Sequence, residues 1–185
     1  MRSVVRSVKS CIVDLYWGVR GPMLGLPAVS IRPRSVLFVC KGNICRSPFA
    51  EHLASNRWPD LEFGSAGIHV RKPAPAPEHA VHAAKRYGLQ LEQHRSQAIS
   101  QVLIERYDMV VAMEVWQYVE LRSSFESHQG KMFLLAQFAG NRFERGRGYA
   151  AYNIADPYGG QLSEFEQCFE RISQCVTSLV AAISA

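Results

Sequence analysis

Residues 35–48 read SVLFVCKGNICRSP, and this stretch decides the fold. Its first six residues are mostly apolar and rich in β-branched side chains, which is typical of a strand buried in a parallel sheet. Residues 46–57 follow with a helical pattern, so the short segment 41–45 joins the two elements. A strand that leads directly into a helix is the beginning of an α/β unit, and its loop lies at the carboxyl end of the strand.

The alternation of strands and helices continues along the chain. Short apolar runs predict strands, and amphipathic stretches predict helices, the longest of which follows a long loop rich in glycine and arginine. The predicted strands are 35–40, 61–66, 107–113 and 131–136, and the predicted helices are 46–57, 77–87, 114–123 and 162–182. This order predicts a single α/β domain in which helices cover both faces of a four-stranded parallel sheet.

Composition and charge set the first 34 residues apart. Residues 21–34 contain two glycines and three prolines, as in a linker, so the chain divides into an N-terminal extension with its linker, 1–34, and a domain, 35–185. The extension carries six basic residues against the single acid Asp14, and this excess equals the whole net charge of +5. The domain itself is balanced, which argues against a nucleic-acid-binding surface.

The N-terminal extension has a helical apolar pattern, formed by Val5, Val8, Ile12, Leu15 and Val19. Its basic residues lie largely away from this stripe, which predicts a basic amphipathic helix whose pattern is compatible with weak contact with an anionic membrane. Packing against the domain, contact with a second copy and disorder are the alternatives, and together they are favoured over membrane contact. No apolar run approaches the roughly 20 residues of a membrane span. Asp14 and Arg20 interrupt any secretory signal, so a cytoplasmic location is expected.

The chain has five cysteines: Cys11, Cys40, Cys45, Cys168 and Cys175. An odd number in a chain of 185 residues is not typical of a disulfide framework. No group of cysteines and histidines has the spacing of a zinc site. These observations favour a reducing compartment and at least one reactive thiol.

Several features of an anion site meet in the segment between the first strand and the first helix. The helix that begins near Arg46 directs its free N–H groups and the positive end of its dipole into this segment. Gly42 and Asn43 accept the left-handed backbone angles that a tight curl requires. The guanidinium of Arg46 can grip two phosphate oxygens, and the same positive surroundings favour the thiolate of Cys40. These residues predict a cysteine nucleophile directed at a bound phosphate.

This stretch resembles the signature V-C-x-G-N-x-C-R-S-P of the low-molecular-weight protein tyrosine phosphatases. Val39–Pro48 matches every fixed position of the signature. Three later features also match, namely Ser65-Ala66-Gly67 after the second strand, His94, and the Asp-Pro-Tyr of residues 156–158. The resemblance covers residues 35–185 and implies the Rossmann-like fold of the phosphotyrosine phosphatase I type.

The resemblance implies hydrolysis of phosphotyrosine in two steps, with no metal and no cofactor. Cys40 attacks phosphorus while Asp156 protonates the leaving tyrosine oxygen, and Asp156 then activates the water that releases phosphate. Arg46 and the backbone amides stabilise the equatorial oxygens. The phosphate-binding segment comprises Lys41, Gly42, Asn43, Ile44, Cys45 and Ser47, of which Ser47 also donates a hydrogen bond to the Cys40 sulfur.

The resemblance also assigns supporting residues. Asn43, Ser65 and His94 are expected to hold the phosphate-binding segment in its strained form. Cys45 is expected to act as a redox partner, because a disulfide with Cys40 would shield the nucleophile from irreversible oxidation. A purely structural buried thiol is the alternative for Cys45.

Two positions depart from the family pattern near the expected substrate crevice. Tyr158 supplies one aromatic wall, but Gly159 stands where animal members carry a second tyrosine, so a wider crevice is expected. Lys41 occupies a position that is usually apolar, and it favours substrates with nearby acidic residues unless it points to solvent. A mobile loop is expected to bring Asp156 over the site.

Other functions remain as alternatives. An arsenate reductase of this fold needs two relay cysteines before the Asp-Pro, whereas Cys168 and Cys175 come after it. A phosphatase for other phosphate monoesters or for phosphoarginine is compatible with the same residues, and a non-catalytic phosphate-binding module would be expected to lack Cys40 or Asp156. For the main reading, the expected partner is a phosphotyrosine-containing protein, such as a bacterial tyrosine kinase that controls polysaccharide export.

Overall fold

A four-stranded parallel sheet forms the centre of the structure, a computed structural model that describes residues 16, 19, 26–28, 32–139 and 148–184. Within these residues the strand order is β2-β1-β3-β4, and every neighbouring pair is parallel. The strands are β1 (Ser35–Cys40), β2 (Glu62–Gly67), β3 (Met109–Ala112) and β4 (Met132–Leu134). This sheet confirms the predicted fold class.

Helices cover both faces of the sheet. They are α1 (Arg46–Arg57), α2 (Glu78–Lys85), α3 (Gln101–Arg106), α4 (Val115–Ser124), α5 (Tyr149–Tyr152) and α6 (Leu162–Ser184), and 3-10 helices span Glu126–Lys131 and Leu135–Phe138. Successive side chains of a strand point to opposite faces. Val36 and Phe38 of β1 accordingly belong to a core cluster with α1, α2 and α6, whereas Leu37 and Val39 belong to a second cluster with α3, α4 and α5.

Aromatic packing fixes α1 against α6. The ring of Phe49 lies parallel to that of Phe169, with centroids 3.9 Å apart and an interplanar angle of 9°. Both side chains are fully buried, and burying one phenylalanine contributes about 1.5–3 kcal/mol. This contact holds α1 in place behind the segment that joins it to β1.

The central position of β1 brings three strand ends together. Cys40 pairs with Gly67 at the end of β2, and Val39 pairs with Ala112 at the end of β3. The carboxyl ends of β1, β2 and β3 therefore meet at one edge of the sheet, which is where parallel sheets bind ligands.

Three elements of the structure depart clearly from the prediction. The strand predicted at 131–136 ends at Leu134, because the side-chain oxygen of Gln137 accepts a hydrogen bond from the Leu134 N–H at 3.0 Å and the chain turns into a 3-10 helix. The sequence did not predict α3, which begins after Ser100, whose hydroxyl accepts from the Leu103 N–H at 3.3 Å. The long loop before α6 contains the helical turn α5.

Most of the N-terminal extension lies outside the described residues, and so does most of its predicted amphipathic helix. The two described residues there, Tyr16 and Val19, are helical and exposed. Part of the predicted linker lies on the domain, since Leu26 packs against the second core cluster and the Pro27 carbonyl accepts from Nε2 of Gln137 at 3.1 Å. The division of the chain at residue 34 stays a prediction.

The described part of the chain contains no helix that combines the length and the apolar character needed to cross a bilayer.

Candidate active site

The segment between β1 and α1 curls around the sulfur of Cys40. We call residues 40–46 the Cys40 loop. The Asn43 N–H donates to Sγ at 3.2 Å, and the hydroxyl of Ser47 lies 3.1 Å from the same sulfur. Asn43 has a φ of 51°, in the left-handed region that the sequence predicted for this position. Only 3% of Cys40 is exposed, so the sulfur lies deep in the protein.

Asn43 is the centre of the hydrogen bonds that hold the Cys40 loop. Its Nδ2 donates to the hydroxyls of Ser47 and Ser65, at 2.9 and 2.7 Å. Its Oδ1 accepts from the Gln97 N–H at 2.9 Å, and its carbonyl accepts from Nε2 of His94 at 2.7 Å. A left-handed residue other than glycine costs about 1–3 kcal/mol, and this network offsets that cost.

A half-buried carboxylate lies behind the network. The hydroxyl of Ser65 donates to Oε2 of Glu51 at 2.5 Å, and the Ser65 carbonyl accepts from Nε2 of Gln97 at 2.9 Å. Burial raises the pKa of Glu51 above its usual range, although the bond from Ser65 opposes this shift. Burial lowers the pKa of His94, against the opposing effect of its bond to Asn43. Ser65, which holds the Cys40 loop through Asn43, is therefore itself held by Glu51 and Gln97.

Arg46 is buried between two carboxylates. Its Nη1 donates to Oε1 of Glu114 at 2.6 Å and to the Ile154 carbonyl at 2.9 Å, and its Nη2 lies 2.7 Å from Oδ2 of Asp156. Burial by itself lowers the pKa of Arg46. The nearby Cys40, Asp156 and Glu114 together have the larger, opposite effect, so the pKa of Arg46 is raised overall and the guanidinium stays charged. Among the described residues its buried Nε has no hydrogen-bond partner, so this donor suits an oxygen of a bound anion.

Hydrogen bonds hold the chain immediately before Asp156, and the expected movement of Asp156 over the site stays a prediction. The Ile154 N–H donates to the Met113 carbonyl at 2.8 Å, which ties the segment to the end of β3. The thiol of Cys168 in α6 donates to the Ala155 carbonyl at 3.5 Å. Asp156 is thus presented to Arg46 by two neighbouring residues that are bonded to the domain.

Cys40, Arg46 and Asp156 line one pocket of about 210 Å³. Residues 40–42 and 44–46 contribute to its lining, together with His69, Asp156 and Tyr158. Tyr158 is 66% exposed and lines one side of the pocket, as predicted from the sequence. The volume lies below the roughly 300–1,000 Å³ of sites for drug-sized ligands, so the pocket suits one modified side chain.

Comparison with known proteins identifies the family. The sequence model of the low molecular weight phosphotyrosine protein phosphatases matches residues 35–185. This chain belongs to that family. It is 33% identical over 152 residues to the probable low molecular weight protein-tyrosine-phosphatase EpsP of Ralstonia nicotianae, a match that covers 82% of this chain and 97% of EpsP.

Solved structures of similar phosphatases have the same fold. The tyrosine phosphatase AmsI of Erwinia amylovora superposes with a TM-score of 0.75 at 28% identity, covering 86% of this chain and 99% of AmsI. The arginine phosphatase YwlE of Geobacillus stearothermophilus superposes with a TM-score of 0.71 at 29% identity, covering 81% and 92% of the two chains. Both the family and the α/β fold inferred from the sequence are confirmed.

Apart from Cys40, the cysteines that the structure describes lie in the core. Cys45 is 3% exposed, and burial followed by the nearby Cys40 raises its pKa well above its usual range. Burial also raises the pKa of Cys168 to about 12 and that of Cys175 to about 11. Buried helical thiols of this kind do not form a mobile relay, which weighs against arsenate reduction.

Sequence analysis missed Glu114, the buried partner of Arg46. Its Oε1 also accepts from Nε2 of Gln117 at 2.9 Å, and its Oε2 accepts from the hydroxyl of Tyr149 at 2.8 Å. Burial, with Glu114 beside it, raises the pKa of Tyr149, so the phenol stays a donor. One signal for Glu114 was present in the sequence, since it follows β3 just as the Cys40 loop follows β1.

His69 was also missed as a pocket residue. The backbone N–H of His69 donates to the Lys41 carbonyl at 2.8 Å, so the chain after β2 runs beside the Cys40 loop. Its Nε2 lies 3.0 Å from Oε1 of Glu120, and its ring centroid is 5.6 Å from that of Trp116. The sequence carried no spacing signal for this wall, because it depends on how α4 packs against the end of β2.

Proposed function

We propose that this protein is a metal-independent protein-tyrosine-phosphatase that hydrolyses phosphotyrosine through a cysteinyl-phosphate intermediate. The observation that carries the proposal is the single pocket in which the sulfur of Cys40, the guanidinium of Arg46 and the carboxylate of Asp156 meet. A nucleophile, a fixed positive charge and a proton donor are the three groups that phosphate monoester hydrolysis requires.

In the first step the Cys40 thiolate attacks phosphorus and the bond from phosphorus to the tyrosine oxygen breaks. Protonated Asp156 gives its proton to that oxygen, which would otherwise leave as a poor, strongly basic group. The N–H of Asn43 and the hydroxyl of Ser47 donate to the sulfur and favour the thiolate. Arg46, through Nε, and the amides of the Cys40 loop stabilise the equatorial oxygens.

In the second step water attacks the phosphorus of the intermediate, and the bond from sulfur to phosphorus breaks. Asp156, now a carboxylate, takes a proton from the water. The hydroxyl of Ser47 again donates to Sγ, so the departing thiolate is stabilised by the same bond that prepared it for attack. The cycle returns free phosphate and the starting enzyme, and no redox change occurs.

The depth of the sulfur favours a phosphotyrosine substrate. Because Cys40 is only 3% exposed, a phosphate must enter on a side chain long enough to reach it, and serine is too short. Ile44 and Tyr158 add apolar and aromatic surface for a ring. Lys41 lines the same pocket, and a basic side chain there suits phosphotyrosine beside acidic residues better than the cationic guanidinium of phosphoarginine.

The test compares three phosphopeptides, carrying phosphotyrosine, phosphoserine or phosphoarginine, in the presence of EDTA. We expect wild type to release phosphate from phosphotyrosine with a kcat/KM at least about 10²-fold above the other two. Cys40→Ser is expected to be inactive, and Asp156→Asn to lose about 10²–10⁴-fold in kcat, the usual contribution of a general acid. Preference for phosphoarginine would refute the substrate class, and arsenate reduction without phosphate release would refute the reaction.

We further propose that Cys45 protects Cys40 by forming a reversible disulfide with it. A peroxide oxidises the Cys40 thiolate to a sulfenic acid and is itself reduced; attack of the Cys45 sulfur with loss of water then gives the disulfide, which two equivalents of an external thiol reduce to both thiols. We expect Cys45→Ser to recover a smaller fraction of its own untreated activity than wild type does after peroxide and dithiothreitol. Cys175→Ser is the control, and equal recovery of Cys45→Ser and wild type would contradict the role.

The substrate in the cell is proposed to be a phosphotyrosine-containing protein, with a tyrosine kinase of polysaccharide export as the candidate. A cytoplasmic location agrees with the four described cysteines, all of which are free. Dephosphorylation of such a kinase by wild type, compared with capture of the phosphorylated kinase by Cys40→Ser, tests this assignment. A kinase that is neither dephosphorylated nor captured would contradict it.

A further inference from the structure

Three potential metal ligands meet on the side of the Cys40 loop that faces away from the substrate pocket. One ring nitrogen of His52, one of His94 and one carboxylate oxygen of Glu51 all lie within 4.8 Å of one another. The two imidazole rings are 6.4 Å apart at their centroids and nearly perpendicular, at 80°. None of the three lines the pocket around Cys40, so the cluster is separate from the proposed reaction.

Hydrogen bonds already orient two of these ligands. Nε2 of His94 lies 2.7 Å from the Asn43 carbonyl. Since a carbonyl only accepts, Nε2 carries the hydrogen and the lone pair of His94 is on Nδ1. Oε2 of Glu51 accepts from Ser65, which leaves Oε1 for another partner. A metal-binding histidine typically donates its second ring N–H to a carbonyl in this way.

Solvent and ions can reach the cluster. Glu51 and His52 line a surface groove of about 530 Å³, together with Ser55, Asn56 and residues 88–90. All three ligand residues are partly exposed. A groove of this size has room for the water molecules that would complete a coordination shell around an ion held by three protein ligands.

We propose that Glu51, His52 and His94 bind a divalent cation of the zinc type. Two imidazoles and one carboxylate are a ligand set that zinc uses with a water in the fourth position, whereas magnesium and calcium prefer oxygen ligands. With bond lengths of about 2.0–2.2 Å and tetrahedral angles, two ligand atoms of a zinc ion lie about 3.3–3.6 Å apart. The three side chains, whose ligand atoms lie within 4.8 Å of one another, are therefore expected to close around the ion, which predicts binding weaker than that of a preformed structural site.

Such an ion would join the two supports of the Cys40 loop. His94 holds the carbonyl of Asn43, and Glu51 holds its side-chain amide through Ser65. A cation shared by His94 and Glu51 would restrain both supports relative to α1. The bound ion is therefore expected to stabilise the left-handed conformation of Asn43 without entering the substrate pocket.

The test is zinc binding by the full chain in which Cys11, which lies outside the described residues, and the pocket thiol of Cys40 are replaced by serine, because cysteine thiolates compete for zinc. Affinity is measured by competition with a chromophoric chelator, using zinc chloride as the only metal. The variant is His52→Gln, which keeps a side chain of similar size, and the matched control is His82→Gln, since His82 is an exposed histidine on α2. Circular dichroism checks the folding of each protein.

We expect the parent and His82→Gln to bind one zinc ion with the same affinity. The zinc affinity of His52→Gln is expected to fall by more than about 10–100-fold, which is the usual effect of removing a residue that contacts a metal ligand but not the metal itself. In EDTA, His52→Gln in the wild-type background should keep its phosphatase activity, because His52 contacts neither Cys40 nor Asn43. Equal zinc affinity of the parent and His52→Gln, or no binding by the parent, would overturn the proposal.

A second readout does not depend on the variant folding. Crystals of the parent soaked in zinc chloride are examined by anomalous scattering at the zinc edge. A peak between the side chains of Glu51, His52 and His94 supports the site. Peaks confined to other residues, or no peak, overturn it.

Discussion

Arg46 interacts with two carboxylates that differ in their exposure. Glu114 is 8% exposed and has further hydrogen bonds from Gln117 and Tyr149, so it is a fixed counter-charge. The side chain of Asp156 is 36% exposed. Under the proposed mechanism, phosphate oxygens that bind Arg46 would compete with Asp156 for Nη2, and substrate binding would free the carboxyl group of Asp156 for proton transfer. Arg46 thus has one permanent partner, Glu114, and one partner that a phosphate could replace, Asp156.

The permanent partner can be tested with Glu114→Gln. The amide keeps an acceptor for Nη1 but removes the negative charge, so the buried guanidinium loses part of its compensation. We expect a loss of about 1–3 kcal/mol in the free energy of unfolding, measured by urea denaturation. We also expect kcat/KM to fall at least about tenfold, because Arg46 is no longer fixed against the reacting phosphate.

Glu105→Gln is the control for this change, because Glu105 is exposed on α3 and bonded only to Gln101 of its own helix among the contacts described. Its unfolding free energy should stay within about 0.5 kcal/mol of wild type. If Glu114→Gln behaves like Glu105→Gln, the buried ion pair does not position Arg46.

At the scale of the secondary-structure elements, the end of β2 packs closely against the backbone of the Cys40 loop. A Cβ atom added to Gly67 would lie 2.9 Å from the Asn43 nitrogen and 2.6 Å from Cγ2 of Val70. Real Cβ atoms essentially never approach other atoms this closely, so a side chain at Gly67 must displace the loop backbone. A glycine is therefore needed at the end of β2, because the Cys40 loop packs directly against this position.

Gly67→Ala should accordingly damage activity more than its small size suggests. We expect kcat/KM for a phosphotyrosine peptide to fall by about 10²-fold, the effect of misplacing reacting groups by about 1 Å. Gly130→Ala is the control, because a Cβ there meets nothing within 4 Å. An alanine at Gly67 with unchanged kcat/KM would mean that the Cys40 loop tolerates displacement.

The sequence predicted the elements whose signals are local. β1, α1 and the Cys40 loop follow from a contiguous run of residues, and Ser65 and His94 follow from the family resemblance. Glu114 and His69 were missed because their positions at the site depend on how α4 and the end of β2 pack. The strand β4 was predicted too long because Gln137 ends it by a side-chain bond that no apolar pattern records.

At the scale of the whole molecule, the proposed active site lies within the part of the chain that the family shares. The family match begins at residue 35, and before Arg32 the described part of the linker touches the domain through Leu26 and Pro27. Arg34 is more closely attached, because its N–H donates to Oδ2 of Asp108 at 2.8 Å. Residues before Arg32 are therefore expected to affect stability rather than catalysis.

A chain that begins at Arg32 tests this expectation. Its kcat/KM should stay within about twofold of the full chain, because neither Leu26 nor Pro27 lines the pocket around Cys40. Its free energy of unfolding should fall by about 1–2 kcal/mol through the loss of the Leu26 contact, and Leu26→Ala in the full chain should reproduce most of that loss. A large fall in kcat/KM on truncation would place the N-terminal extension in the catalytic machinery.

The bond from Arg46 to the Ile154 carbonyl joins residues 108 positions apart. Closing a loop of this length is among the slower events of chain folding, because long-range contacts form only after their entropy cost is met. A chain still emerging from the ribosome has Cys40 before it has Asp156, and it acquires the complete constellation only when the segment before α6 docks. The proposed nucleophile is therefore expected to reach its full rate only after this last segment of the site has docked.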